Sequence, residues 1–268
     1  MSDGKKEILL GDCLELMKDI PNGSIDAIIT DPPYGTTACK WDSVIPFDLM
    51  WEQLNRIIKP NGAIVLFGSE PFSSALRMSN IKNYKYDWVW NKVISSGFLN
   101  ANKMPLKIHE NILIFVNKGT PTYNAQKHER SLSSNMSGHL NRIGKSYGEG
   151  KKNVYGSISD VKLINVDEKY KLPDSILTIS KGNNRIKKEH PTQKPIELME
   201  YLIKTYTLEN EIVLDFTAGS GTTAIACLNT KRQFIVMEKE QKYYDIILKR
   251  VGDFNKNFEQ QTLFGNEM

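Results

Sequence analysis

Short, continuously apolar runs alternate along this chain with stretches of helical spacing. Strands that are apolar throughout are buried on both faces, which is typical of parallel sheets covered by helices. Residues 47–58 carry the stripe of an amphipathic helix, which Pro60 and Gly62 terminate. The alternation predicts an α/β fold with a seven-stranded, mostly parallel, doubly wound sheet, its strands at residues 7–10, 25–30, 63–67, 86–90, 111–116, 211–214 and 233–237.

The composition is that of a globular protein with a substantial core. Of the 268 residues, 40% are hydrophobic and 25% charged, and no apolar run approaches the roughly 18 residues that cross a bilayer. The polar N-terminus has no signal-peptide pattern, so we expect a cytoplasmic protein. The three cysteines are scattered and the four histidines lack ligand spacing, which predicts neither a disulfide framework nor a metal centre.

Positive charge is concentrated in one segment. Between Gly119 and His190 there are 13 Lys and Arg against 7 Asp and Glu, a net charge of +6, and the remainder has 22 against 24, a net charge of −2. The same segment is rich in Gly, Ser and Asn and shows no long apolar period. A basic insertion of this kind can bind phosphates. A solvent-exposed surface loop without a partner would have the same composition.

A glycine-rich loop predicts a nucleoside site. Residues 215–223 follow a strand and open a helix, and Glu238 ends the next strand. Glycines let the backbone approach a ligand, the helix N-terminus offers N–H groups, and a carboxylate after the second strand can accept ribose hydroxyls. The loop alone does not distinguish a dinucleotide from S-adenosylmethionine, and a simple tight turn is the alternative without function.

The motif Asp31-Pro32-Pro33-Tyr34 follows a parallel strand, at the edge where open α/β sheets bind ligands. The exocyclic amine of a nucleobase is a poor nucleophile because its lone pair is delocalised into the ring. Asp31 and a backbone carbonyl freed by the prolines can accept its two N–H bonds and direct the lone pair outward. With Tyr34 stacked on the base, a sulfonium methyl in line with that lone pair can transfer directly. A proline turn with a buried tyrosine is the alternative.

These two motifs and His190-Pro-Thr-Gln-Lys-Pro195 together resemble the β-class amino methyltransferases that act on DNA. In that family the catalytic motif comes first, a target recognition region follows and the cofactor loop comes last, and this chain has that order. The resemblance implies a circularly permuted, Rossmann-like methyltransferase fold with S-adenosylmethionine as donor. It implies a catalytic half at residues 1–118, a target recognition region at 119–189, a cofactor-binding half at 190–251 and a flexible C-terminal tail at 252–268.

The resemblance also assigns residues to the site. The catalytic motif is Asp31, Pro32, Pro33 and Tyr34. The cofactor-binding residues it implies are Asp12, Asp31, His190, Thr192, Lys194, Pro195, Asp215, Phe216, Thr217, Gly219, Ser220, Gly221, Thr222, Thr223 and Glu238. Double-stranded DNA would contact the basic residues Lys127, Arg130, Arg142, Lys145, Lys151, Lys152, Arg185, Lys187 and Lys188. The target base must flip out, because a base inside a duplex cannot reach the catalytic carboxylate.

Asp31 followed by Tyr34 favours N6 of adenine, whereas relatives with Ser in place of the Asp favour N4 of cytosine. We therefore expect a sequence-specific adenine methyltransferase of the restriction–modification type, encoded by a bacterium or a phage. An N4-cytosine enzyme is the nearest alternative, and a non-catalytic DNA-binding module is the alternative from a different class. Methylation at cytosine C5 is excluded because it needs a thiolate, usually after proline, and no cysteine here follows proline.

Two further expectations concern partners. Residues 260–264, Gln-Gln-Thr-Leu-Phe, resemble the pentapeptide by which bacterial replication proteins dock on the sliding clamp. Binding to a partner would explain why a polar tail carries an exposed Leu-Phe pair. The alternative is that Leu263 and Phe264 pack against the rest of the protein. Many members of the family form dimers, so a homodimer is expected. Trp41 and Trp90 are candidates for the pocket rim, although tryptophans near strand ends are more often in the core.

Overall fold

The computed structural model of this protein describes residues 5–36, 42–129, 170–181 and 193–265, with side chains as far as residue 256. Within these ranges one large sheet has eight strands. In spatial order they are β1 (Lys6–Leu10), β10 (Gln233–Glu238), β9 (Ile212–Asp215), β2 (Ile25–Thr30), β3 (Ile58–Gly68), β5 (Lys107–Val116), β4 (Tyr84–Ser96) and β8 (Ile176–Thr178). The five strands from β1 to β3 are parallel, β5 is antiparallel to both neighbours, and β8 is parallel to β4. The predicted mostly parallel α/β sheet is confirmed.

Helices cover both faces of this sheet because alternate strand residues point to opposite sides. Ile29 and Val65 belong to one buried core and Ile28 and Ile64 to the other. The first core also contains side chains of α4 (Ile196–Tyr206), α5 (Thr222–Asn229) and α6 (Gln241–Gly265). The second contains side chains of α2 (Phe47–Ile57) and α3 (Phe72–Ser79), which come after the short α1 (Cys13–Leu16). No helix among the described residues is both long and apolar enough to cross a membrane.

The chain divides into two units. One consists of Met1–Asn124 with Ser175–Met268 and contains the large sheet, and the other is Ala125–Asp174. In the second unit β6 (His128–Glu129) pairs antiparallel with β7 (Tyr170–Lys171).

The eighth strand corrects the predicted seven. β8 belongs to the large sheet, although the sequence placed it inside the insertion at residues 119–189. Of its three side chains only Leu177 is buried, so the strand has no apolar run by which it could be recognised. It is held instead by main-chain bonds to β4, such as Val89 N to the Ser175 carbonyl at 2.8 Å.

The last helix extends into the predicted tail. The sequence predicted a flexible tail at 252–268, whereas α6 runs from Gln241 to Gly265. Gly252 costs about 1 kcal/mol relative to Ala in a helix, and no proline comes after it to stop the helix. Residues 260–264 lie on this helix, but their side chains lie outside the described part, so the sliding-clamp contact stays a prediction.

Candidate active site

The predicted motifs meet at the carboxyl ends of the parallel strands. β9 and β2 are neighbours in the sheet, but the helix after β9 packs on one face and the helix after β2 on the other. Where successive connections leave to opposite faces, a crevice opens between the strand ends. A cavity of about 370 Å³ occupies this place, lined by residues that come after β1, β2, β9 and β10.

Asp215, at the end of β9, holds the loops of this crevice together. Its carboxylate accepts hydrogen bonds from the hydroxyls of Thr30 and Thr223, and from the backbone N–H of Thr217 at 3.1 Å. Burial raises its pKa to about 6, although the three hydrogen bonds favour the ionised form. The Thr217 hydroxyl in turn donates to the Asp31 carbonyl at 3.1 Å. The glycine loop is thereby tied to the catalytic motif.

The glycine loop has the close approach that its sequence predicts. Gly219 and Gly221 have φ angles of +55° and +77°, which favour glycine. A Cβ on Gly221 would lie 2.9 Å from the side chain of Ile247 on α6, so a larger residue would push that helix away. Arg250, also on α6, donates to the Ser220 carbonyl at 2.5 Å. The loop is therefore held by α6 as well as by β9.

Two carboxylates line the same cavity as this loop. Glu238, which ends β10, accepts the backbone N–H groups of Gly219 and Glu240 on its two oxygens, each at 2.8 Å. Burial raises its pKa despite these bonds. Asp12 caps α1 through the Leu14 N–H at 3.0 Å. Each carboxylate oxygen has two lone pairs, so both groups can still accept hydroxyl or amine donors from a ligand.

The catalytic motif is oriented by its own side chains. The Tyr34 hydroxyl donates to Asp31 Oδ1 at 2.5 Å, and the Tyr34 ring stacks on Phe72 with centroids 4.9 Å apart. Burial raises the pKa of Tyr34 well above its usual value, so the hydroxyl remains a donor. Asp42 accepts the N–H groups of Gly35 and Thr36, each at 2.9 Å, and closes the turn after the motif.

Four charged side chains form a row of ion pairs behind this motif. Lys194 Nζ donates to Asp31 Oδ2 and lies 3.2 Å from Glu110 Oε2, and Glu110 Oε1 lies 3.2 Å from Lys92 Nζ. Lys92 is 3% and Lys194 9% exposed, whereas the Asp31 side chain keeps 23% exposure on the cavity wall. Positive and negative side chains alternate along this row, so each ion has a partner of opposite charge. Ions that are removed from water require such partners.

The charges in this group stabilise one another. Burial raises the pKa of Asp31, and Lys194 opposes that effect. Burial lowers the pKa of Lys194, but the carboxylates of Asp31 and Glu110 outweigh it and raise the pKa above its usual value. Burial likewise raises the pKa of Glu110, and the two lysines outweigh it and lower the pKa. Lys194 is therefore a cation held between two carboxylates.

Sequence reasoning missed Glu110, Lys92 and Asp42. Glu110 and Lys92 each stand in a strand, where a single charged residue is usually exposed to solvent. Trp90 does line the cavity, but it is buried and its indole N–H donates to the Ile179 carbonyl at 2.8 Å. It is both a core residue and part of the wall. Trp41 lies outside the described residues.

Most of the predicted site residues come together. Those on the cavity wall are Asp12, Asp31, Pro32, Pro33, Tyr34, Lys194, Asp215, Phe216, Thr217, Gly219, Ser220, Thr222, Thr223 and Glu238. Pro195 precedes α4 and Gly221 packs on α6, so both shape the site from outside the wall. Lys127 is exposed in the second unit. The residues outside the described part are His190, Thr192, Arg130, Arg142, Lys145, Lys151, Lys152, Arg185, Lys187 and Lys188.

Comparison with known proteins identifies the family. A family model described as DNA methylase, N6_N4_Mtase, matches residues 25–249. Type II methyltransferase M.HinfI of Haemophilus influenzae is 28% identical over 299 aligned positions, which cover 96% of this chain and 71% of that protein.

Solved structures share the architecture. The M1.HpyAVI–SAM complex has a TM-score of 0.61 at 27% identity and covers 91% of this chain and 98% of its own. The cytosine-N4-specific PvuII DNA methyltransferase, at 18% identity, covers 91% of this chain and 85% of its own with a TM-score of 0.64, which shows a common fold. Since the matching family model spans most of the sequence, this chain belongs to the N6_N4_Mtase family of DNA methylases.

Proposed function

We propose that this protein methylates the N6 amine of a flipped-out adenine in a specific sequence of double-stranded DNA. The observation that carries the proposal is the partly exposed Asp31 carboxylate, which lies on the wall of the cavity that the glycine loop and Glu238 also line. An amine acceptor and a nucleoside-binding loop thus share one cavity. Methyl transfer to an exocyclic amine needs both at the same place.

S-adenosylmethionine is the cofactor, and it supplies an electrophilic methyl group when bound. The cavity fits it, because the φ of Gly219 permits close approach of the backbone and the Glu238 and Asp12 carboxylates retain free lone pairs. We assign Glu238 to the ribose hydroxyls, Asp12 to the adenine side, and Phe216 to the apolar wall. The segment at residues 190–195 is assigned to the methionine part, and Lys194 from this segment is on the cavity wall.

Asp31 prepares the target nitrogen. One N–H of the target amine donates to the Asp31 carboxylate, and the other donates to a carbonyl of the Pro32-Pro33 turn, since the Asp31 carbonyl already accepts Thr217. Both bonds draw the nitrogen toward a tetrahedral geometry with its lone pair free. Transfer would break the bond between the sulfonium sulfur and the methyl carbon, leaving a neutral thioether, and the nitrogen would carry one proton in excess. Asp31, whose pKa burial raises, is placed to accept that proton.

The insertion would supply contact with the duplex. We propose that the basic residues between 119 and 189 bind phosphates, of which Lys127 is exposed in the described part. Phosphate contacts set the position of the protein on DNA, and the Asn, Ser and Arg side chains of the same segment are available to base edges.

The experiment that tests the function is transfer of labelled methyl from S-adenosylmethionine to mixed double-stranded DNA, followed by nucleoside digestion and mass spectrometry. We expect N6-methyladenine from the native protein and a loss of about 100- to 1,000-fold in Asp31→Ala, because the group that activates the nitrogen is gone. Detection of N4-methylcytosine instead would support the same mechanism with cytosine as the target base. Absence of labelled DNA, with cofactor binding measured in the same preparation, would refute double-stranded DNA as the substrate.

A further inference from the structure

The hairpin formed by β4 and β5 extends past the carboxyl edge of the sheet. Pairing of β3 with β5 ends at Gly68 opposite Asn111, whereas pairing of β4 with β5 continues to Ser96 opposite Lys107. β3 and β2 are parallel, so this edge is the one at which Asp31 comes after β2. Residues 93–108, here called the hairpin tip, therefore project from the same edge as the catalytic motif.

The base of the hairpin is part of the active site. Lys92 and Glu110 flank the tip, and their ion pair contacts Lys194, which donates to Asp31. At Val93 the backbone has a φ of +66°, an outlier for a β-branched residue, within a register shift between Asn91 and Ser96. Irregular pairing of this kind bends a strand and redirects the residues beyond the bend. The orientation of the tip is thus coupled to the catalytic pocket.

The hairpin tip presents large apolar side chains to solvent. Phe98 and Leu99, on a single 3₁₀ turn, are 76% and 84% exposed, and Met104 is 58% exposed. Leu106 and Ile108 are also exposed. Several exposed apolar side chains on one short projection mark a surface that another molecule covers.

Charge identifies the kind of molecule that covers this surface. Residues 91–109 include Lys92, Lys103 and Lys107 and no Asp or Glu. Lys92 is paired with Glu110 and Lys107 donates to the Ser69 hydroxyl, which leaves Lys103 as the exposed lysine of the tip. A surface that combines apolar side chains with positive charge and lacks acidic groups is complementary to stacked bases between phosphates.

We propose that the hairpin tip enters the DNA duplex beside the target base pair, and that Phe98 and Leu99 fill the space left when the target nucleotide turns out toward Asp31. Lys103 then lies against the adjacent phosphates. This inference rests on the proposed function. Apolar side chains that enter a base stack compensate the unstacking that flipping requires, so the tip acts on the step before methyl transfer.

The test compares Phe98→Ala/Leu99→Ala with a matched control, Met78→Ala/Ile81→Ala. Met78 and Ile81 are exposed apolar residues just before the amino end of β4, at the opposite edge of the sheet. Single-turnover methylation is measured on two duplexes that contain the recognition sequence, which is first mapped by methylation-sensitive sequencing of DNA treated with the native protein. One is fully paired, and the other has an abasic position opposite the target, which lowers the cost of flipping. Calorimetric binding of S-adenosylmethionine monitors the folded state.

We expect the tip variant to lose about tenfold or more on the paired duplex and to recover to within about twofold of the native protein on the abasic duplex. The control variant should match the native protein on both. Unchanged methylation of the paired duplex by the tip variant would overturn the proposal, and so would an equal loss on both duplexes, which would indicate simple docking. A changed sedimentation mass of the tip variant would assign the surface to a second copy of this chain. If the native protein methylates neither duplex, the proposed function fails and this inference fails with it.

Discussion

At the residue scale, the decisive contact is the buried cation beside the catalytic carboxylate. Burial favours the neutral form of Asp31, which as an acid could not accept both the Tyr34 hydroxyl and a target N–H in the same way. Lys194, which donates to Asp31 Oδ2, opposes this effect, and the carboxylates of Asp31 and Glu110 keep Lys194 charged. The reactive state of Asp31 is therefore set by residues that do not touch the base.

Replacement of Lys194 tests this point through pH. In Lys194→Met the cation that lowers the pKa of Asp31 is lost, so that pKa rises and the acid limb of the kcat profile moves to higher pH. Lys194→Arg keeps the positive charge, so its acid limb should lie closer to that of the native protein. Glu110→Gln should displace the limb in the opposite direction, to lower pH, because the Glu110 carboxylate is a like charge that raises the pKa of Asp31 and Asp31 itself still keeps Lys194 charged.

The kcat profile is measured at saturating S-adenosylmethionine, so that weaker cofactor binding does not enter. A uniform loss of kcat across pH, with the acid limb in its native place, would show that Lys194 only supports the structure.

At the scale of elements, the glycine loop and α6 determine each other's position. Gly221 lies against Ile247, and Arg250 binds the Ser220 carbonyl, so α6 forms the outer support of the loop. The sequence predicted a flexible tail from residue 252 onward and predicted the loop only from its glycines. That the loop and this helix are in contact could not be predicted, because nothing in their sequences relates one to the other.

Two glycine substitutions test the contact between the loop and α6. Gly221→Ala places a Cβ 2.9 Å from Ile247 at a φ of +77°, so we expect a free energy of unfolding lower by about 1–3 kcal/mol and weaker binding of S-adenosylmethionine. Gly252→Ala is the control, since its Cβ meets nothing within 4 Å inside α6, and it should raise that free energy by about 0.5–1 kcal/mol. Urea denaturation and calorimetry measure the two quantities. Equal effects of both substitutions would contradict the proposed contact.

At the scale of the whole molecule, the sheet order brings together segments that are far apart in sequence. The Thr30 hydroxyl bonds Asp215 although 185 residues separate them. β9 and β2 are neighbours despite that separation, and their carboxyl ends unite the two halves of the site. A chain whose cofactor loop comes after its catalytic motif can therefore build one cavity.

The same scale includes contact with other proteins. Leu263→Ala/Phe264→Ala should abolish retention of the protein on an immobilised sliding clamp, because this pair would fill the hydrophobic groove of the clamp. Lys256→Ala, about two turns earlier on α6, serves as the control and should be retained. Retention of the double variant at the native level would refute the clamp contact.

The sequence by itself determined the layered α/β fold and the position of its reactive motifs. Continuous apolar strands are buried wherever they pair, and proline and glycine restrict the backbone locally, so both patterns can be read without knowledge of partners. Tertiary structure alone decided the eighth strand, because β8 is defined by main-chain bonds to β4 and buries only Leu177. It also decided the pairing of Glu110 with Lys92 and with Lys194, since a charged residue in a strand becomes a buried ion only when other segments supply the opposite charge.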